Sequence, residues 1–167
     1  GTETHLIEML DRIVPVEDSD ISQALTRSFK KQGMKINAGT KVEHIKVGKD
    51  SVKMDLVKGD KREALEVETV LLSIGVVPNT DGLFSQKVKL KLDDKGYVEV
   101  NDRYETSLKG IYAAGDIIGP PWLAHVATYE AVQAVNGMFG HSEPKRVTLY
   151  PGCTYCHPQV ASAGLTE

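Results

Sequence analysis

Four groups of residues in this chain have types and spacings that could do chemistry. Glu8 closes the apolar run Leu6-Ile7. A carboxylate at the end of a buried strand can accept hydrogen bonds from ribose hydroxyls in a dinucleotide fold, and a solvated strand end is the plainer reading. A glycine loop belongs about twenty residues before such a carboxylate. Gly115-Asp116 stands between the apolar run Ile111–Ala114 and a helical pattern. Open α/β sheets place ligand-binding groups there, although two residues alone also describe an ordinary turn. His125 falls on the first turn of that helix, where it could serve as a base or as a partly buried structural histidine. Cys153-Thr154-Tyr155-Cys156-His157 fits the spacing of covalent haem attachment, of a dithiol redox motif or of half a zinc site. No second cysteine pair completes a zinc site, and His5, His44, His125 and His141 lack ligand-like spacing. The favoured reading is two small, weakly polar side chains on a strand.

These residues need elements to hold them. His5–Met9 reads as a strand, and a helix follows Pro15. Asp20 and Gln23 form a capping-box pattern, with Ile21, Leu25 and Phe29 on one face. Lys30 and Lys31 suit the negative end of the helix dipole, Gly33 is placed to stop the helix, and Met34–Ala38 resumes as a strand. Val52, Met54 and Leu56 alternate with polar residues, Gly59-Asp60 offers a turn, and Leu65 and Val67 resume the alternation. That pattern predicts a one-sided antiparallel meander whose lysines, between Lys41 and Lys61, face water. Val70–Gly75 is a continuous apolar run, as in a strand buried on both faces, and Val77–Gly82 breaks it with turn residues. Tyr97–Val100 and Ile111–Ala114 read as two more strands. Beyond Gly119-Pro120-Pro121 a helix is predicted from about Leu123 to Met138, with Ala127, Ala131, Ala134 and Val135 as a close-packing face. Trp122 reads as a packing residue, Gly140 as the stop, and the chain from Val147 onward as strand-like.

Composition sets outer limits. The chain has 167 residues, 41% hydrophobic and 26% charged, with a formal net charge of -3 and two cysteines. That length makes one large or two small globular units with a real core. A near-neutral charge gives no electrostatic ground for nucleic acid or an anionic membrane as partner. The apolar run near Val70–Val77 is far short of the roughly 20 residues a membrane helix needs. Gly1–His5 lacks the basic and apolar regions of a signal peptide, and two cysteines make no disulfide framework, so a reducing cytoplasm is the default.

Taken in order, Ile7–Pro15, Val70–Gly75 with Pro78-Asn79-Thr80, Gly110–Asp116, Leu123-Ala124-His125, and Cys153–Pro158 leading to Val160–Ser162 carry a resemblance. Their order and spacing resemble the flavin-dependent pyridine nucleotide-disulfide oxidoreductases over nearly the whole chain, and within them the dihydrolipoyl dehydrogenase family. The resemblance implies an α/β fold: parts of two dinucleotide-binding (Rossmann-like) domains with an antiparallel β-meander, plus the start of an α+β dimerisation domain. Residues 1–77 would be the second half of an NAD-binding domain, 78–146 the second segment of an FAD-binding domain, and 147–167 the start of the interface domain.

The same resemblance implies roles. Glu8 would bind the adenosine ribose of NAD and repel the 2′-phosphate of NADP. Val42 would line the adenine site, and Gly75 would let the backbone approach the nicotinamide half. Asp116 would hydrogen-bond a ribitol hydroxyl of FAD. The backbone of Trp122, Leu123, Ala124 and His125 would aim helix N-terminal amides at the flavin, where a positive dipole end stabilises a reduced ring. The stretch around Cys153 and Cys156 would be structural. Val76, Val126 and Gln159 depart from the family's usual arginine, lysine and glutamate. The family's two glycine loops, its redox cysteine pair and its histidine-glutamate base are not in this sequence. The expectation is therefore an internal fragment with no catalytic residue and no metal site, inactive alone. The parent enzyme would reoxidise the dihydrolipoamide of a lipoyl domain in a 2-oxoacid dehydrogenase complex, as a homodimer in the cytoplasm or the mitochondrial matrix. Alternatives are a fragment of a glutathione or mercuric reductase type enzyme, or a non-catalytic nucleotide-binding module.

Overall fold

The computed structural model describes residues 1–85 and 87–166. Contacts divide the chain into two compact units, Gly1–Ser73 with the segment from Cys153 onward, and Ile74–Gly152.

In the first unit, β1 (His5–Glu8) and β2 (Lys35–Ala38) pair in parallel, His5 opposite Lys35 and Glu8 opposite Ala38. Helix α1 (Ser19–Lys31) joins them, which makes a βαβ unit of the kind dinucleotide folds are built from. The helix begins earlier than the capping-box pattern predicts. Asp18 holds the N-cap position and its carbonyl accepts from the Ser22 amide at 3.0 Å, so Asp20 lies in the first turn. The buried row is accordingly Ser22, Leu25 and Phe29, and Ile21 stays exposed. Ser22 can take a core position because its hydroxyl donates to the Ile13 carbonyl at 2.7 Å. At the other end Gly33, with φ +91°, donates its amide to the Lys30 carbonyl, and the Met34 amide reaches the Phe29 carbonyl at 3.1 Å. That double bond pattern closes the helix as a glycine cap should. Ile13, Leu25, Phe29 and Val160 form the core, with Leu6, Met34, Ile36 and Cys156 packed around it.

The antiparallel meander has the order β3 (Lys41–Val47), β4 (Val52–Lys58), β5 (Lys61–Val67). Gly59-Asp60 forms the tight turn between Lys58 and Lys61, which face each other in register. Met54 and Leu56 point into the unit while the lysines face outward, the alternation that the sequence shows. A register shift between Glu43 and Lys46 marks a bulge, with His44 at φ +51°. On this exposed face Arg62 bridges Glu43 at 2.9 Å and Asp55 at 2.8 Å, and His44 Nδ1 lies 3.0 Å from Asp55. The Asp55 carboxyl is held below the usual aspartate range by those hydrogen bonds, from His44 first and Arg62 second.

Val70–Gly75 is not the doubly buried strand that its composition predicts. It forms no strand among the described residues, and Leu71 and Ile74 are 89% and 88% exposed. An all-apolar strand needs ladder partners on its edges and cover on both faces, and the described residues supply neither.

In the second unit Tyr97–Val100 and Ile111–Ala114 are likewise not strands. They make single-residue bridges, Leu92 with Val98, Val100 with Thr106, and Glu105 with Tyr112. Tight turns interrupt each ladder after one pair: Asp93 Oδ1 accepts from the Lys95 and Tyr97 amides, and Asn101 Oδ1 from those of Arg103 and Glu105. Tyr104 emerges from the second of these turns at φ +63° with its side chain fully buried.

A 3-10 turn, η1 (Gly115–Ile118), packs on helix α2 (Ala124–Met138), whose N-cap is Leu123. The inward face of α2 is Val126, Glu130 and Ala134. Of the expected small-residue face, Ala127 is half-buried, whereas Ala131 and Val135 are exposed. Gly140 follows the last turn, and the His141 amide closes on the Asn136 carbonyl at 2.9 Å. The strands β6 (Gly152–Thr154) and β7 (Val160–Ser162) pair with each other. No helix of the described residues is long and apolar enough to cross a membrane.

Candidate functional site

The carboxyl end of β1 is tied to the turn that links β2 and β3. The Thr40 amide donates to the Glu8 carbonyl at 3.0 Å and the Gly39 amide to the Leu10 carbonyl at 2.6 Å. Glu8 Oε1 accepts from the Leu10 amide at 2.8 Å, which sets the side chain across the strand end. Its second oxygen has no hydrogen bond among the described residues and can accept from a ligand hydroxyl. Val42 lies two residues beyond Thr40 on β3, opposite Leu56, and is 38% exposed. Through the Thr40–Glu8 backbone bond, the strand that carries Val42 starts beside the carboxyl end of β1 that carries Glu8. Gly75 belongs to the second unit. Its backbone is at φ +139° and a Cβ there would meet nothing within 4 Å, so the residue answers a backbone requirement and not crowding by this chain.

The second unit holds the other group. Ala114 is extended, Gly115 turns the chain at φ +78°, and Asp116 on η1 is exposed while Gly115 and Gly119 on either side are buried. Three contacts hold this turn. The Gly115 amide donates to Glu130 Oε2 at 2.8 Å, the Val98 amide to the Ile117 carbonyl at 2.9 Å, and the Gly119 amide to the Asp116 carbonyl at 3.3 Å. A Cβ on Gly115 would lie 3.0 Å from the Ala127 Cβ, so only glycine lets η1 approach α2 this closely.

The first i→i−4 bond of α2 runs from the Ala127 amide to the Leu123 carbonyl at 3.0 Å. The amides of Ala124, His125 and Val126 precede it and carry the partial positive charge of the helix start. Trp122 packs against Tyr97 with ring centroids 6.3 Å apart and a 31° tilt, yet remains 45% exposed beside those amides. The His125 ring nitrogen Nε2 lies 3.0 Å from the Pro151 carbonyl and donates to it when it carries the proton. That contact engages the ring as a structural group. An exposed carboxylate on a rigid turn, together with a helix start, suits a ligand that offers hydroxyl donors and an electron-rich ring edge.

Residue spacing did not single out Glu130. It is 8% exposed, on the apolar face between Val126 and Ala134. The available signal was an acid at the i+4 position of an otherwise apolar row, where a buried carboxylate must find a partner. Nearby, the Tyr104 hydroxyl donates to the Lys145 carbonyl at 3.1 Å, and the Arg146 guanidinium sits 5.1 Å from the ring centroid. Burial, and secondly the Glu130 charge, push the Tyr104 phenol above the ordinary tyrosine value, with the Val147 backbone hydrogen bond and then Arg146 opposing.

Both cysteines are free thiols. Cys153 lies on β6, but Cys156 lies past its end, donates to the Pro158 carbonyl at 3.0 Å and packs against the first core. A strand position for both is thereby corrected: Cys156 follows the turn that carries the chain toward β7. Among the described residues no three His, Cys, Asp or Glu side chains gather as metal ligands would.

Known proteins place this chain. The sequence signature described as Pyridine nucleotide-disulphide oxidoreductase matches residues 1–131. A dihydrolipoyl dehydrogenase of Chlorobaculum tepidum is 37% identical over 100% of this chain and 36% of its own length. A mitochondrial dihydrolipoyl dehydrogenase of Pisum sativum is 38% identical over 100% of this chain and 34% of its own. The chain therefore spans about a third of the length of the curated relatives it matches. In fold it superposes on the HOCl-induced flavoprotein disulfide reductase RclA from Escherichia coli, with a TM-score of 0.87 at 21% identity over 100% of this chain and 38% of that one. With the βαβ unit, the meander and the clamped Gly-Asp turn in place, these matches support one conclusion: the chain belongs to the pyridine nucleotide-disulphide oxidoreductase family.

Proposed function

We propose that this chain contributes parts of an NAD pocket and an FAD pocket to an oxidoreductase of the dihydrolipoyl dehydrogenase type. The observation that carries the reading is the Gly115–Asp116 turn, clamped on α2 with an exposed carboxylate. In this reading residues 1–77 are the second half of the NAD domain, 78–146 the second FAD segment, and 147–167 the start of the dimer interface. The Glu8 carboxylate accepts from the adenosine ribose of NAD, and its charge disfavours a 2′-phosphate. Val42 covers the adenine, and Gly75 lies along the nicotinamide half. Asp116 accepts from a ribitol hydroxyl of FAD, while the α2 start, from Trp122 to His125, orients the flavin ring and favours negative charge on it. Bound FAD supplies the capacity to take up and pass on a hydride equivalent. The side chains assigned here bind and orient, and none of them forms a covalent intermediate. The relatives' names point to a dihydrolipoyl group as the electron donor. In this reading the lipoyl domain of a 2-oxoacid dehydrogenase complex carries it. A homodimer in the cytoplasm, or in the mitochondrial matrix of a eukaryote, completes the proposal.

The two cofactor roles separate cleanly by titration of the 167-residue chain. FAD binding, followed by quenching of flavin fluorescence, is expected to weaken at least about tenfold in Asp116→Ala and to be unchanged in Glu8→Ala. A tenfold change is about 1.4 kcal/mol, the scale of one hydrogen bond to a charged group. NAD binding is expected to show the reverse pattern, and Glu8→Ala is expected to narrow its preference over NADP. An Asp116→Ala chain that binds FAD as tightly as the parent sinks the ribitol assignment. Unchanged NAD affinity in Glu8→Ala sinks the ribose assignment. A dihydrolipoyl-type enzyme is favoured over NADP-dependent disulfide reductases by the negative charge at Glu8.

A further inference from the structure

Glu130 is a buried carboxylate that none of the roles above uses. Helix α2 turns it inward with Val126 and Ala134, and its Oε2 accepts the Gly115 amide at 2.8 Å. A buried carboxylate is costly to keep, and a single backbone donor is modest compensation. An apolar side chain would pack against Val126 and Ala134 without that cost. What the carboxylate achieves is local. Gly115 immediately precedes Asp116, and its amide would otherwise be a buried donor without an acceptor, since Gly115 itself is buried. Glu130 grips the turn from one side while the Ala127 Cβ bounds it, 3.0 Å from where a Gly115 Cβ would stand. The two α2 residues are three apart, on neighbouring positions of one helix face. Together they fix the backbone on which Asp116 is mounted.

We propose that Glu130 is a positioning residue for flavin binding: by holding the Gly115 amide it sets the direction in which Asp116 presents its carboxylate. This rests on the reading of Asp116 as the ribitol acceptor. Glu130 is buried on the α2 side of the turn and acts through Asp116. A fixed carboxylate binds without a further ordering cost, whereas a loosened turn must be ordered each time the ligand arrives.

The test uses the 167-residue chain, with FAD as the probe. Glu130→Ala is expected to weaken FAD binding about tenfold, and Glu130→Gln, which keeps an acceptor oxygen in the same place, to recover most of it. In an Asp116→Ala background, Glu130→Ala is expected to add little further loss, because its effect passes through the missing carboxylate. Amide hydrogen exchange reads the grip without ligand. The Gly115 amide is expected to exchange at least about tenfold faster in Glu130→Ala, with α2 amides from Thr128 to Ala134 unchanged and Glu130→Gln close to the parent. Equal weakening in the Gln and Ala variants overturns the proposal, as do independent, multiplying losses with Asp116→Ala or an unchanged Gly115 exchange rate. If this chain, which holds only part of the pocket, binds no FAD, the Gly115 exchange rate decides alone, and the absence of acceleration in Glu130→Ala overturns the proposal. A chain that binds FAD without the coupling refutes Glu130 alone.

Discussion

Tyr104→Ala is expected to lower the stability of the second unit by about 3–5 kcal/mol, the range for removing a large buried aromatic side chain. The side chain is fully buried, its hydroxyl donates to the Lys145 carbonyl at 3.1 Å, and Arg146 covers the ring face. Its backbone holds the turn as well: the Tyr104 amide donates to the Asn101 carbonyl and its carbonyl accepts from the Ala113 amide, both at 3.0 Å. The loss would be a large share of the whole stability of a small domain. Trp122 is the sole tryptophan of the chain and lies in the same unit, so its fluorescence follows this unit in a urea titration. An unchanged midpoint would show that the ring is not part of a cooperative core. Tyr104→Phe keeps the ring and loses only the hydroxyl bond, a cost of about 1 kcal/mol near neutral pH.

The same pair of variants carries a pH signature. Burial raises the phenol above its ordinary value of 10.0, with the Glu130 charge adding to the effect. The folded state therefore favours the protonated form. Below the ordinary tyrosine value both folded and unfolded chains hold the proton, and the stabilisation is fully present. As pH rises past that value the unfolded chain loses its proton first, so stability falls until the folded phenol titrates too. The parent chain should accordingly lose its advantage over Tyr104→Phe above pH 10.0, and keep it at neutral pH. A difference between the two midpoints that stays constant across that window would contradict the raised phenol.

Much of this arrangement is legible in the residues. The βαβ unit follows from the helix period of Leu25 and Phe29 and from the Gly33 stop, and the meander from the two-residue alternation of Val52, Met54 and Leu56 around Gly59-Asp60. Glu8 at the end of β1 and Asp116 at the start of η1 stand where the residue runs around them suggest. Val70–Gly75 was not legible, because an apolar run reports what a segment requires and not whether the chain supplies partners for it. Tyr104 escaped notice because turns bury it, and turns leave no period. On α2 the many alanines obscure the packing face: Ala131 and Val135 look outward while Glu130, the residue least suited to burial by type, looks inward. That inversion follows from a contact fifteen residues away in sequence, the Gly115 amide, which no local pattern encodes.

Gly115→Ala is expected to combine two separable penalties at the turn that carries Asp116. At φ +78° an alanine pays the left-handed backbone cost, about 1–2 kcal/mol. Its Cβ would also stand 3.0 Å from the Ala127 Cβ, which is fixed to a helix and cannot swing aside as the end of a long side chain could. Overpacking of that kind costs about 1–3 kcal/mol, so the sum is about 2–5 kcal/mol in the Trp122-detected urea midpoint. Gly110→Ala is the control: its φ is +82°, but a Cβ there meets nothing within 4 Å, so it should pay the backbone cost alone. Adding Ala127→Gly to Gly115→Ala should return the steric part, less about 1 kcal/mol for glycine inside a helix. Equal losses in Gly115→Ala and Gly110→Ala would mean that η1 and α2 do not meet as tightly as they stand here. If η1 yields instead of α2, the Gly115 amide is drawn from Glu130 and FAD binding falls with stability. The Ala127→Gly double variant should then recover binding more fully than it recovers the urea midpoint, because the helix-propensity cost of the new glycine does not touch the ligand.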